Sequence, residues 1–260
     1  MAIAFLTSTA KSLYGSSSTT TNAINTTGAD FIAVVVVWDG TAGSTNTVSD
    51  NQGNSWTPRT AIHDNTGTLG NVRIHYCASP TTNSSHTFTL TCSGTPANPA
   101  IAVAAFSGVN STPYDVENGA YSGSPISTGS VTPTQDGSVL IAGVGGSQGT
   151  VDSINNGFTI CGHGPRNPPT TYRTIGMAYK IQTTAAAINP AFTFGSGSFC
   201  YASIASFKPG GGGGGSQGAA LHHYRQQGMM RHQQPRLILP NREIITELPR
   251  RRLIDNRLAT

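Results

Sequence analysis

Charge is what this chain has least of: Asp, Glu, Lys and Arg make up 10% of its 260 residues, against about a quarter in an ordinary soluble domain. Before residue 209, Glu, Lys and Leu are rare. Those residues build exposed and amphipathic helices, so their scarcity argues against a helical enzyme. No stretch reaches the roughly twenty apolar residues of a membrane-spanning helix. The opening Met1-Ala-Ile-Ala-Phe-Leu6 has neither a basic n-region nor an adequate apolar stretch, so no Sec signal is expected. The four cysteines, Cys77, Cys92, Cys161 and Cys200, include no CxxC pair and match no zinc spacing. Strand alternation sets Cys77 opposite Val72, Ile74 and Tyr76, while Cys92 shares a face with Phe88 and Leu90. A 77–92 bridge is therefore disfavoured, and buried thiols are expected. There is no P-loop, no dinucleotide fingerprint and no acid pair suggesting glycoside hydrolysis. Neither a cofactor nor a metal is expected.

What fills the chain instead is Gly, Thr and Ser, the composition of many short strands and turns. Residues 2–5 read as a short first strand, followed by a polar Ser/Thr stretch to Thr27. Residues 29–38 form a continuous apolar run, centred on Val34-Val-Val-Val37, which is the mark of a central strand buried on both faces. Residues 48–56 read as a hairpin-like turn in which Gly53 takes positive φ. Residues 71–78 and 86–92 read as an alternating pair around Pro80, and residues 99–109 as another inner strand.

The same five elements then recur in the same order. Residues 137–144 answer the Phe31 run, 151–158 answer 48–56, and 174–179 answer the Val72 strand. Residues 191–194 and 201–207 answer the last two strands of the first set. This is a degenerate internal repeat of about seventy-five residues. The expected fold is all-β: an antiparallel two-sheet sandwich of jelly-roll type over residues 1–208, with repeat halves at about 29–109 and 136–208. Neither half has enough long strands to close a core alone, so the halves are expected to share one.

The run Gly210, Gly211, Gly212, Gly213, Gly214 and Gly215 divides the chain. After Pro209, eight arginines face three acids, a net of +5, which leaves the body at −1. Residues 209–219 read as a Gly-rich linker, spanning about 17 Å as a coil and about 35 Å when stretched. Residues 220–260 read as an extended basic arm that Pro235, Pro240 and Pro249 cut into short pieces. Strand augmentation against a partner is expected for Arg236, Leu237, Ile238 and Leu239, and again for Arg242, Ile244, Ile245 and Leu248. The run Arg250, Arg251 and Arg252, followed by Leu253 and Ile254, mixes cations with apolar residues. That mixture favours pairing with carboxylates on a protein over contact with nucleic acid.

Chemistry is harder to find. G-x-S-x-G occurs at 145–149 and at 214–218, but no helix follows either site, so neither makes a nucleophile elbow. The body histidines are His63, His75, His86 and His163; His75 and His86, on neighbouring hairpin strands, can approach each other but lack a carboxylate. Asp50, Asn51 and Asn54 present oxygens in one turn without a bidentate acid, a poor calcium site. Trp38, Trp56, Tyr14, Tyr121 and Tyr172 are candidates for a sugar platform, although aromatics at strand ends more often pack the rim.

The turn Asp50-Asn-Gln-Gly-Asn-Ser-Trp56, the alternating pair after it, and the strand ending Phe106-Ser-Gly-Val109 before Pro113-Tyr-Asp115 together resemble a β-sandwich module of phage structural proteins and bacterial surface proteins. One extra residue precedes Phe106. The resemblance covers residues 1 to about 208. It implies a sandwich displayed on, or attached to, a particle or cell, and it carries over no catalytic residue. The expectation is a non-enzymatic virion structural protein, a capsid decoration or fibre-type subunit anchored by its arm. Its expected partners are other virion proteins and further copies of itself, with no membrane. It would be assembled in the host cytoplasm and released by lysis. The alternative is a carbohydrate-binding or adhesive module of a phage tail or an extracellular surface, with a surface glycan as ligand.

Overall fold

The computed structural model describes residues 2–40, 44–63, 70–93, 97–146, 149–164, 173–194 and 200–211. Among them there is no helix. The first half contains β1 (Ala4–Ser12), β2 (Ser18–Thr20), β3 (Phe31–Asp39), β4 (Asn46–Asp50), β5 (Thr57–Pro58), β6 (Ile62–His63), β7 (Gly70–Ala78), β8 (Phe88–Cys92) and β9 (Ala100–Ser107). The second contains β10 (Val109–Ser122), β11 (Ile126–Ser127), β12 (Ser138–Gly146), β13 (Val151–Ile154), β14 (Thr159–His163), β15 (Thr174–Gln182), β16 (Ala191–Phe194) and β17 (Cys200–Pro209).

All strand pairs are antiparallel, and the two halves share one topology. Each has a large sheet, β1-β9-β3-β7-β5 (with β6 also on β7) in the first and β10-β17-β12-β15-β14 in the second. Each also has a three-stranded sheet, β2-β8-β4 and β11-β16-β13. The repeat seen in the sequence is thus a duplication of the fold.

Strand β3 explains the layering. It lies between β9 and β7, and every residue from Phe31 to Trp38 is buried on one face or the other. Phe31, Ala33, Val35 and Val37 point at the other half, joining Val139, Ile141, Ile175, Met177 and Phe207 in a core between the two large sheets. Ile32, Val34, Val36 and Trp38 point outward onto Val48, Phe88 and Leu90 of the small sheet. Leu140, Ala142 and Val144 meet Ile126, Phe192 and Phe194 in the same way in the second half. At roughly 1.5–3 kcal/mol for each fully buried large aliphatic side chain, β3 is a principal source of stability. The halves do share a core, as the sequence suggests, but each also closes one of its own. The small sheets cover the outer face of each large sheet; of their strands in the first half, β8 falls within the expected strand 86–92, while β2 and β4 are too brief to stand out in the sequence.

Two local readings differ from the structure. The first strand runs to Ser12, because the Ser/Thr stretch Thr7–Ser12 pairs with β9 as an edge strand. The segments around Pro80 and around Gly53 are not hairpins. β7 lies in the large sheet and β8 in the small one, and β4 and β5 are divided likewise. Each connection arches between layers. Gly53 does adopt positive φ, at 73°.

The halves are joined at Gly108. Its φ is +81°, and a Cβ placed there would sit 2.3 Å from the carbonyl oxygen of Ala2. Asp30 holds this crossover by accepting from Gly108 N at 2.7 Å and Val109 N at 3.0 Å. Where the halves cross near their middle, Val35 faces Gly143; a Cβ on Gly143 would lie 2.6 Å from a Val35 methyl group. These two positions are equivalent in the duplication. Val35 pairs with Ile74 and Ala102, and Gly143 with Met177 and Ser203, in matching registers.

Candidate functional site

The turn Asp50–Trp56 follows β4, and its polar atoms are engaged within the fold. Asp50 Oδ1 accepts from Gln52 N at 2.8 Å and Asn54 N at 3.1 Å, and Oδ2 accepts from the Trp56 indole at 3.1 Å. Burial pushes the Asp50 carboxyl up, but the Asn54 and Gln52 donors and His86 outweigh it and hold it below the usual range. Asn51 Oδ1 accepts from Thr87 N and Asn54 Oδ1 from Thr81 N, pinning the turn to the 79–87 connection. The oxygens considered for calcium are thus occupied by N–H groups. Among the described residues, no three His, Cys, Asp or Glu side chains converge as a metal site.

His86 is fully buried behind this turn, stacked on Phe88 with ring centroids 4.3 Å apart. Its Nδ1 lies 2.9 Å from Thr26 Oγ1, and its Nε2 lies 3.6 Å from Asp50 Oδ2. The Asp50 charge favours the tautomer with the proton on Nε2, which leaves Nδ1 an acceptor; the Thr26 hydroxyl lies within reach of both Nδ1 and the Asn83 carbonyl oxygen, 3.2 Å away. Burial lowers the His86 pKa despite Asp50. Thr26 has no exposure, and 3.6 Å between Nε2 and Asp50 Oδ2 is too long for a hydrogen bond, so Thr26, His86 and Asp50 form a buried structural cluster rather than a relay.

His75 does not join His86: it lies on β7, in the large sheet, while His86 is bridged to Ile24. His75 Nε2 is 2.6 Å from Asn46 Oδ1, and its buried Nδ1 has no hydrogen-bond partner among the described residues. Burial, reinforced by the Arg73 charge, lowers its pKa to about 3. His63 falls on β6 and His163 on β14, in different sheets. The four thiols are free, and burial pushes them up to about 11 for Cys77 and Cys200 and about 12 for Cys92 and Cys161. At those values they are inert as nucleophiles at neutral pH.

The aromatic candidates do not all reach the surface. Trp38 is buried, and Trp56 packs edge-on to Phe88. Tyr14 and Tyr121 are 45% and 41% exposed, the first after β1 and the second on β10. Tyr172 and Ser147 lie outside the described residues, as do the second G-x-S-x-G at 214–218, Gly212–Gly215 and every arm residue from Arg236 to Ile254. Of the glycine run, Gly210 and Gly211 are described. Gly210 N donates to Gly108 O at 2.7 Å, which places the exit of the last strand at the crossover between the halves.

The open site is a seam where the edges of the two large sheets meet, β5 and β6 against β10. Strand β10 is an edge strand, where Pro113, lacking an N–H, is tolerated. Its register slips on either side of Tyr114, and such irregularities re-aim side chains. Here Tyr114 and Glu117 turn toward the first half. The Arg59 guanidinium lies 3.5 Å from the Tyr114 ring centre and donates to Glu117 through Nε at 3.0 Å and Nη2 at 3.1 Å. Thr60 adds its hydroxyl at 2.7 Å. Burial raises Glu117, but the Arg59 and Thr60 donors and the Arg59 charge outweigh it and hold the carboxyl below its ordinary range.

Two clefts open at this seam, one lined by Arg59 and Glu117 and the other by Tyr114. One, of about 220 Å³, is walled by Ile62, Ile74, Gly119 and Ser203; the other, of about 360 Å³, by Ser55, Thr57, Tyr76, Ser111 and Tyr114. Ser203 is buried, and its hydroxyl has no hydrogen-bond partner among the described residues. None of the seam residues carries a local sequence motif for chemistry. The one available signal is Pro113-Tyr-Asp115, which marks the β10 kink.

Comparison with family models, curated proteins and solved structures finds no match to this chain. The class is therefore defined by architecture: a duplicated all-β protein in which two sandwiches share a core and are joined at a glycine.

Proposed function

We propose that this chain is a non-enzymatic virion structural protein, displayed on a particle as a capsid decoration or fibre-type subunit and anchored through its C-terminal arm. The observation that carries the reading is where the chain leaves the fold. β17 ends at Pro209, and Gly210 is hydrogen-bonded to Gly108 beside Ala2, so the start of β1, the crossover and the exit lie at one pole. The ends of β3 and β12 and the starts of β7, β9, β15 and β17 lie at the opposite pole, as their registers require. A tether at Gly210 leaves that far pole outermost.

The exit strand is also suited to bearing load. β17 is hydrogen-bonded to β10 on one side and β12 on the other, so tension along it shears two ladders at once instead of peeling one. The basic, apolar composition of residues 220–260 suits an acidic, groove-like partner surface on the particle. Deleting residues 212–260 is expected to leave a folded body that no longer incorporates into particles. Retained incorporation overturns the anchoring.

A second reading, a carbohydrate-binding or adhesive module, is favoured by a separate observation: the β5–β10 seam, with its aromatic rings, hydroxyls and ion pair at the surface.

A further inference from the structure

The duplication provides an internal comparison for the seam. Tyr114 pairs with Phe207 as Phe5 pairs with Phe106, and Glu117 pairs with Ala205 as Ser8 pairs with Ala104. Thr57 pairs with Tyr76 as Thr159 pairs with Tyr179, so Tyr76 matches Tyr179, and Arg59, two residues after Thr57, falls where Cys161 forms the β14 bulge before Gly162. At the β1–β14 seam these positions pack against one another. Phe5 stacks on Tyr179 with centroids 4.9 Å apart and planes 7° from parallel, and Ser8 donates to the Cys161 carbonyl at 2.5 Å. At the β5–β10 seam the same four positions hold Tyr114, Tyr76, Arg59 and Glu117, and two clefts open beside them. At the first seam these four described positions are stacked and uncharged; at the second they carry an additional aromatic hydroxyl, a guanidinium and a carboxylate.

We propose that the β5–β10 seam is a binding site for a neutral saccharide, centred on the Arg59–Glu117 pair and walled by Tyr76 and Tyr114. It rests on the second of the readings above and does not depend on the arm.

The chemistry narrows the ligand class. Among the described residues, Arg59 and Glu117 are the only charged ones lining either cleft, and they neutralise each other, so neither presents an unpaired counter-charge to an anion or cation. The pair sets donors beside acceptors, the arrangement that matches adjacent sugar hydroxyls. Arg59 Nη1 donates to no described residue and is left for a ligand. Ser55, Thr57 and Ser111 add hydroxyls on one side, and the unpartnered Ser203 hydroxyl lies in the wall of the other. The Tyr rings offer apolar surface for the C–H face of a pyranose. Together the clefts reach the size of small-molecule sites, about 300–1,000 Å³.

The test uses the full chain on an array of neutral and acidic oligosaccharides, followed by calorimetry with the best neutral one. Tyr114→Ala is expected to weaken binding at least tenfold. Ser111→Trp, which fills the outer cleft from an exposed position and so spares the fold, is expected to do the same. Ser8→Ala at the equivalent seam is expected to leave affinity unchanged. Binding of neutral glycans that survives both Tyr114→Ala and Ser111→Trp overturns the site while sparing the saccharide reading. No glycan binding by the full chain overturns both. Preference for an acidic glycan overturns the neutral class.

Discussion

Replacing His75 with Gln should flatten the acid sensitivity of the fold. The side chain is 3% exposed, between the large and small sheets of the first half, with Arg73 and Cys77 beside it on β7 and Asn46 and Asp50 on β4. Its folded pKa is lowered to about 3, by burial first and the Arg73 charge second. In the unfolded chain the ring titrates near ~6.5. Between these values the unfolded chain binds a proton that the folded chain does not. Stability is therefore full above pH ~6.5 and falls as pH drops toward ~3. One proton corresponds to about 1.4 kcal/mol per pH unit, so His75 costs roughly 2–3 kcal/mol by pH ~4.5. That is a large part of the roughly 5–15 kcal/mol that holds a domain together.

His86 acts in the same direction, its burial opposed by Asp50. Asp50 and Glu117, whose carboxyls are lowered, contribute stability that is full above pH ~5 and begins to be lost as pH falls below that, at the acid end of the window and alike in variant and wild type. Gln at position 75 keeps an amide donor for Asn46 Oδ1 and removes the titration. Urea unfolding from pH ~7.5 to ~4.5 should show the variant losing stability with a slope one proton shallower than wild type. An unchanged slope refutes the neutral, buried His75.

Gly108→Ala forces an L-residue into φ +81° and a Cβ 2.3 Å from the Ala2 carbonyl oxygen, so a loss of about 2 kcal/mol or more is expected in thermal or urea unfolding. Gly143→Ala should cost about 1–3 kcal/mol by overpacking against Val35. Val35→Ala should recover much of that loss when combined with it, because removing the Val35 methyl groups leaves the new Cβ 3.4 Å from Cβ of residue 35. A double-mutant cycle without favourable coupling contradicts the Val35–Gly143 contact.

How much of this could be read in the sequence follows from the range of each interaction. The β3 run identified itself, because a strand covered on both faces has no polar positions to alternate. The order of the repeat was legible for the same reason: Phe31, Phe88 and Phe106 and their counterparts fill fixed core positions. Facing was right for Cys77 and Cys92, since pleat alternation is local. Layer assignment was not legible. Asp50–Trp56 and the Pro80 segment are good turns, but a turn residue specifies a reversal and not whether the next strand stays in the sheet or crosses to the facing one. Thr7–Ser12 looked irregular because hydroxyl residues serve edge strands and loops equally. The seam was invisible for a different reason. Arg59 and Glu117 are 58 positions apart, and neither is unusual until the registers set them against Cys161 and Ser8. The arm residues Arg236–Ile254 lie outside the described part of the chain, so their partner rests on composition.

The Val35–Gly143 contact has a consequence for ancestry and assembly. If the two halves descend from one self-associating sandwich, an exact two-fold dimer would have brought the same residue against itself at this crossing. Two valines there would collide, and two glycines would leave a void. One bulky and one absent side chain fit only in a mixed pair. On that descent each half is now shaped to reject its own copy and accept its sibling, and with the surface between them interior, further copies would have to meet elsewhere.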